Sequence, residues 1–203
     1  TVVPVIFNEG LWGVGTTMYS VFYGRMGDAA VAAMGVCTTI NDLVWVAIFA
    51  LMNATAIIVG KALGAGDRER AYLYAKRMMA GAVAAGVALG LLVIAVRWPL
   101  VNIFSGLSYP VREKAQFILL LGGMTIWFRA FNTINIVGVL RSGGDTLFSL
   151  CLDVGTLWLV GVTSTGLAAL VFHWPLEWVY ACTFLEEAVK MAVGIPHFKK
   201  RQW

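Results

Sequence analysis

The chain has 203 residues, of which 60% are hydrophobic and only 13% charged, with a net charge of +4. A soluble domain of this length carries charge on about a quarter of its residues, and a mean hydropathy of +0.80 points instead to an integral membrane protein. The basic residues fall in short clusters between apolar runs, which excludes a nucleic-acid-binding surface as their purpose.

Six stretches are long enough to cross a hydrocarbon core, which takes about 20 helical residues. The first, roughly 3–23, carries Asn8-Glu9 and is loosened by Gly10, Gly13 and Gly15. The chain opens on Thr1-Val2-Val3-Pro4 without an initiator methionine, which reads as the start of a fragment or processed chain. Gly24 to Asp28 is a short turn. The second stretch, roughly 29–60, exceeds one upright span, so it tilts or protrudes; Asn41-Asp42 lie near its middle. Lys61 to Arg77 reads as a charged connection. The third, roughly 78–96, is almost wholly Ala, Gly, Val and Leu, and Gly86 with Gly90 forms a GxxxG step that admits a second helix closely. Arg97 to Gln116 holds Trp98-Pro99 and a polar segment.

The fourth stretch, roughly 117–140, has Arg129 near mid-depth and Asn132 and Asn135 on successive turns of one face. Ser142-Gly143-Gly144-Asp145-Thr146 follows. Glycine suits the left-handed end of one helix, and Asp145 or Thr146 suits the start of the next. The fifth, roughly 147–172, contains Asp153. His173-Trp174-Pro175 turns the chain into the sixth, roughly 176–195, which contains Glu186, Glu187 and Lys190. Runs this long and continuous exclude the alternating strands of about ten residues that build a membrane β-barrel. The expected fold is all-α, an integral membrane bundle of six helices forming a single membrane domain over residues 1–203. Ile58-Val59-Gly60 precedes Gly66-Asp67 at the spacing by which Ile136-Val137-Gly138 precedes Gly144-Asp145. Parallel repeats or shared capping needs would each produce that echo.

An ionised side chain near the bilayer centre costs roughly 3 kcal/mol or more, so such residues face a protein interior or an aqueous cavity. Five acids lie within the spans, Glu9, Asp42, Asp153, Glu186 and Glu187, against two bases, Arg129 and Lys190. Glu186 and Lys190 are four residues apart on one helix face, and Asp153, at similar height, joins them in a structural lock; with Glu187 these residues form a cluster expected to hold the helices together. Asp42 is expected to pair with Arg129. Glu9, with Asn8 and Trp12 beside it, is left without a base at its depth. It suits either a coupling carboxylate, able to exchange a proton or Na⁺, or a carboxyl that is simply hydrogen-bonded. Asn132 and Asn135 suit either coordination of a cation or polar substrate, or hydrogen bonds between helices. Met18, Tyr19, Phe22, Trp127 and Phe128 suit either a pocket for a flat apolar cation or plain packing. Cys37, Cys151 and Cys182 lie in apolar runs and read as packing residues. His173 and His197 sit at membrane edges, no nucleophile or phosphate-binding motif occurs, and neither catalysis nor a metal site is expected.

Positive charge orients the bundle. Nine Lys and Arg residues follow the second, fourth and sixth spans, against four at the opposite end, so the N- and C-termini are expected in the cytoplasm. Trp98, Trp174 and Trp178 then form an outer interfacial belt.

Three runs carry a family resemblance: FNTINIVGVLRSGGDTLFSLCLD, NATAIIVGKALGAGDRERAYLYAKR and WPLEWVYACTFLEEAVKMAVG. Over nearly its whole length the chain resembles the multidrug and toxic compound extrusion (MATE) family, specifically the second six-helix lobe of bacterial members. The resemblance implies one lobe of a 12-helix secondary antiporter in a bacterial inner membrane. Such a protein exports organic cations, drugs or other amphipathic compounds in exchange for Na⁺ or H⁺, with no other cofactor. It further implies an N-terminal six-helix lobe as partner. In the family an acid on this lobe's first helix helps to bind the coupling cation, and Glu9 is the candidate. Some members place a second acid on the fourth helix, where this chain reads Arg129-Ala130-Phe131-Asn132, so its cation site is incomplete or differently built. Two other readings compete. A lipid-linked precursor flippase of related architecture needs a more cationic cavity than Arg129 alone provides. A non-transporting membrane fragment would serve only as a packing module or homodimer.

Overall fold

The computed structural model describes residues 2–104, 106–201 and 203. Six helices succeed one another: α1 (Val2–Arg25), α2 (Asp28–Gly64), α3 (Arg68–Ile103), α4 (Tyr109–Arg141), α5 (Thr146–Val171) and α6 (Leu176–Lys199). The described residues include no strand. α4 widens to π-helix over Ile134–Arg141, and α5 does so over Leu157–Val162 and Leu167–Val171. α2 to α5 are each long and apolar enough to cross a membrane. α1 and α6, which carry most of the polar residues of the site, complete the bundle.

The two hairpins at one end of the bundle share one geometry. Gly66 takes φ 79°, and the Asp67 N–H donates back to the Ala62 carbonyl at 3.1 Å. The Asp67 carboxylate then accepts from the Arg70 N–H at 3.0 Å and opens α3. Gly144 takes φ 98°, the Asp145 N–H donates to the Leu140 carbonyl at 3.0 Å, and the Asp145 carboxylate accepts from the Phe148 N–H at 3.4 Å. Glycine tolerates the left-handed step and the aspartate satisfies free N–H groups of the next helix. The echo in the sequence is this pair of caps used twice.

The helices run past the expected spans. Lys61 belongs to α2 and Arg68 already to α3, so the expected connection from Lys61 to Arg77 shrinks to Ala65–Asp67. Trp98 and Pro99 lie inside α3, not in a loop, and Arg97 donates to the Ile94 carbonyl at 2.8 Å just ahead of the proline. A helix of 36 residues is about 54 Å long, well beyond a hydrocarbon core of about 30 Å. Its charged and proline-bearing ends therefore leave the core while staying helical.

Close packing is concentrated where the GxxxG step predicted it. A Cβ on Gly86 would lie 2.5 Å from the Trp127 Cα, and one on Gly90 would strike the Gly123 carbonyl, so α3 and α4 touch backbone to backbone. α1 leans on α5, with Gly15 against Leu157, and α6 packs across α4 and α5. α1 meets α2 only sparingly, and a cleft opens between them. Large apolar side chains such as Leu43, Ile103 and Leu159 stand exposed, as a lipid-facing surface requires.

Candidate functional site: a charged cleft between α1 and α2

The cleft holds two hollows. One, of about 720 Å³, is walled by α1, α2, α4, α5 and α6. The other, of about 630 Å³, continues along α1 and α2 toward Tyr23 and Val31. Thr16, Tyr19, Asp42, Trp45, Arg129 and Thr183 border both, so they form the waist between the two.

Burial and ion pairing sort the charged residues of the larger hollow. Lys190 is buried, with Nζ 2.8 Å from Asp153 Oδ1 and 2.6 Å from Glu186 Oε1. Asn8 is also buried and donates through Nδ2 to Asp153 Oδ2 at 3.1 Å. The Tyr19 hydroxyl donates to Glu186 Oε2 at 2.7 Å. The cluster expected from Asp153, Glu186, Glu187 and Lys190 thus forms around the lysine without Glu187 and is tied to α1 as well. Glu187 stands apart from it: Asn132 Nδ2 donates to its Oε2 and to its backbone carbonyl, each at 2.8 Å.

Three expectations are corrected. Arg129 does not pair with Asp42. Its Nε faces Glu187 Oε1 at 3.8 Å and its Nη2 donates to the Thr183 hydroxyl at 3.4 Å. Asp42 borders both hollows yet makes no ion pair or hydrogen bond among the described residues. The two share a depth, but rotation about the helix axis aims Arg129 at α6. Glu9 is not without a base either: Arg141 reaches it at 2.7 Å. Arg141 lies just beyond the fourth apolar stretch of the sequence, and nothing local links it to a residue 132 positions earlier. Finally, Asn132 lines the larger hollow and Asn135 does not. Asn135 is fully buried, and a Cβ on Gly194 of α6 would lie 2.8 Å from its Nδ2. The π-helical turn beginning at Ile134 carries about one extra residue per turn, which rotates Asn135 off the face of Asn132.

The aromatic pocket also resolves differently. Of the five residues considered, only Tyr19 borders the hollows. Phe22 covers Gly166, and the Trp127 backbone abuts Gly86. Trp12, expected beside Glu9, does line the larger hollow, as do Trp45 and Phe49 of α2. Cys37 and Cys182 are buried, whereas Cys151 is exposed. His197 pairs with Asp145 at 2.6 Å and stacks on Phe148, fastening the end of α6 to the second hairpin.

Four long apolar helices around a charged hollow are the build of a multi-pass membrane protein. The chain belongs to the MatE family, whose profile matches residues 4–162. Protein DETOXIFICATION 16 of Arabidopsis thaliana is 26% identical over 145 residues, covering 70% of this chain and 29% of that protein. Among solved structures, a MOP superfamily transporter from Pyrococcus furiosus, described for the reverse polarity of its binding pocket, superposes with TM-score 0.88 at 16% identity, over 98% of this chain and 44% of that one. A MATE structure in complex with MaD3S gives TM-score 0.90 at 16% identity, over 99% of this chain and 45% of that one. The chain spans less than half the length of each of these relatives.

Proposed function

We propose that this chain forms one six-helix lobe of a secondary antiporter that exports organic cations, drugs or other amphipathic compounds in exchange for Na⁺ or H⁺. The observation that carries the reading is the charge balance of the larger hollow. Five carboxylates line it, Glu9, Asp42, Asp153, Glu186 and Glu187, against Arg129, Arg141 and Lys190. Each of the three cations faces a carboxylate within 4 Å, and Asp42 is the acid left over. A cationic guest is favoured there and an anionic one is opposed, which disfavours a flippase for phosphorylated lipids. Trp12, Trp45 and Phe49 supply aromatic faces for an amphipathic guest.

In this reading the cleft between α1 and α2 faces a second, N-terminal lobe, and substrate passes between the two. The protein lies in a bacterial inner membrane with the hairpins of Gly66 and Gly144 and both termini toward the cytoplasm, in keeping with its distribution of Lys and Arg. The test is efflux of ethidium from cells lacking their own exporters. Cells are given residues 1–203 alone, the N-terminal half of the coding sequence alone, or both together. Export is expected only with both halves. Export by residues 1–203 alone would refute the half-transporter reading, and no cation export in any arm would refute the exporter reading.

A further inference from the structure

All four carboxylate oxygens of Asp153 and Glu186 already have a donor. The Lys190 ammonium takes Asp153 Oδ1 at 2.8 Å and Glu186 Oε1 at 2.6 Å. Asn8 Nδ2 and the Tyr19 hydroxyl take the other two, at 3.1 and 2.7 Å. The lysine and glutamate side chains are only 6% and 7% exposed. Asn8, itself 2% exposed and bordering the larger hollow, leaves its amide oxygen Oδ1 without a partner among the described residues.

Carboxylate, amide and phenol oxygens are hard donors, the kind that suit hard cations. Here three helices bring such oxygens together, α5 with Asp153, α6 with Glu186 and α1 with the Tyr19 phenol, while Asn8 of α1 joins through its amide nitrogen. The cation at their centre is part of the chain. An ammonium is a compact point charge with three donors, and two of them are matched to one oxygen of each acid.

We propose that Lys190 is a tethered counter-cation that occupies an oxygen cage suited to Na⁺ and thereby keeps Na⁺ out of this lobe. Removing the ammonium leaves two buried carboxylates uncompensated, and a monovalent cation restores the same net charge. The consequence for coupling rests on the exporter reading: in that setting Na⁺, if it is the coupling ion, binds elsewhere. The cage itself stands on the geometry alone.

The test uses the full-length transporter in lipid nanodiscs and the variant Lys190→Met, which keeps side-chain length and loses charge. Folded yield and melting midpoint are measured in sodium chloride and in choline chloride at equal ionic strength and pH. The difference between the two salts is the readout, so a Na⁺ site elsewhere cancels against wild type. The variant is expected to gain about 5 °C or more from Na⁺ over choline beyond any wild-type difference. The triple variant Lys190→Met, Asp153→Asn, Glu186→Gln is expected to lose that gain. A Lys190→Met protein no better folded or more stable in Na⁺ than in choline overturns the proposal. So does a wild type with the same Na⁺ increment, or a triple variant that keeps it. A protein that shows the expected pattern but exports no cation would sink the exporter reading alone.

Discussion

Arg141, at the end of α4, holds Glu9 of α1 through an ion pair of 2.7 Å. The pair joins two walls of the larger hollow and removes Glu9 from the set of free acids. Its side chains are 15% and 59% exposed, so solvent screens the attraction, and such pairs are worth about 0.2–1 kcal/mol. Arg141→Gln should therefore lower stability by no more than about 1 kcal/mol, measured by thermal unfolding of the full-length protein. By adding one uncompensated negative charge to the hollow, the same variant should hold or strengthen binding of ethidium in a fluorescence titration. Loss of binding would place Arg141 in contact with the guest.

Asp42 is the converse case. It borders both hollows and has no ion pair or hydrogen bond among the described residues, so little structure depends on it. Asp42→Asn should unfold at nearly the wild-type temperature while weakening a cationic dye by about tenfold or more, the scale of one lost charge-assisted contact. An uncharged dye of similar size should be unaffected. Equal weakening of both dyes would show that the variant perturbs shape and not charge.

What could be read from the sequence was position along the membrane normal, because hydropathy and helix length fix depth. Asp153, Glu186 and Lys190 were matched by height and spacing, and they meet. Asp42 and Arg129 were also matched by height, and they do not. Depth says nothing about rotation around the helix axis, which neighbouring helices set. The π-helical turn at Ile134 compounds this, because a face drawn at 3.6 residues per turn fails across it, and Asn135 leaves the face of Asn132. Pairs far apart in the chain, such as Glu9 with Arg141 or Tyr19 with Glu186, leave no local signal. The GxxxG step and the Gly-Asp hairpins were legible because their chemistry is confined to a few consecutive residues.

The α3–α4 contact gives a sharper test of packing. A Cβ on Gly90 would strike the Gly123 carbonyl, and backbone cannot step aside, whereas one on Gly81 meets nothing within 4 Å. Gly90→Ala should destabilise by roughly 1–3 kcal/mol through overpacking. Gly81→Ala should be neutral or stabilise by up to about 1 kcal/mol, since alanine favours helix over glycine. Unfolding of the two variants side by side decides the matter, and equal effects would mean the helices can separate at this point.

Asn135 carries the last prediction. Its side chain is fully buried in α4, both amide atoms lack partners among the described residues, and Gly194 of α6 lies against it. An amide buried without hydrogen bonds costs on the order of 1–3 kcal/mol. Leucine keeps the branch at Cγ and the number of side-chain heavy atoms, with methyl groups in place of the amide O and N, and carries no such cost. Asn135→Leu should therefore stabilise the full-length protein by about 1–2 kcal/mol, and dye binding should stay at the wild-type level because the side chain does not border the hollow. Destabilisation by a similar amount would mean that the amide is satisfied by a bound water or ion. A drop in dye binding with stability intact would return Asn135 to the binding face on which the helical spacing first placed it.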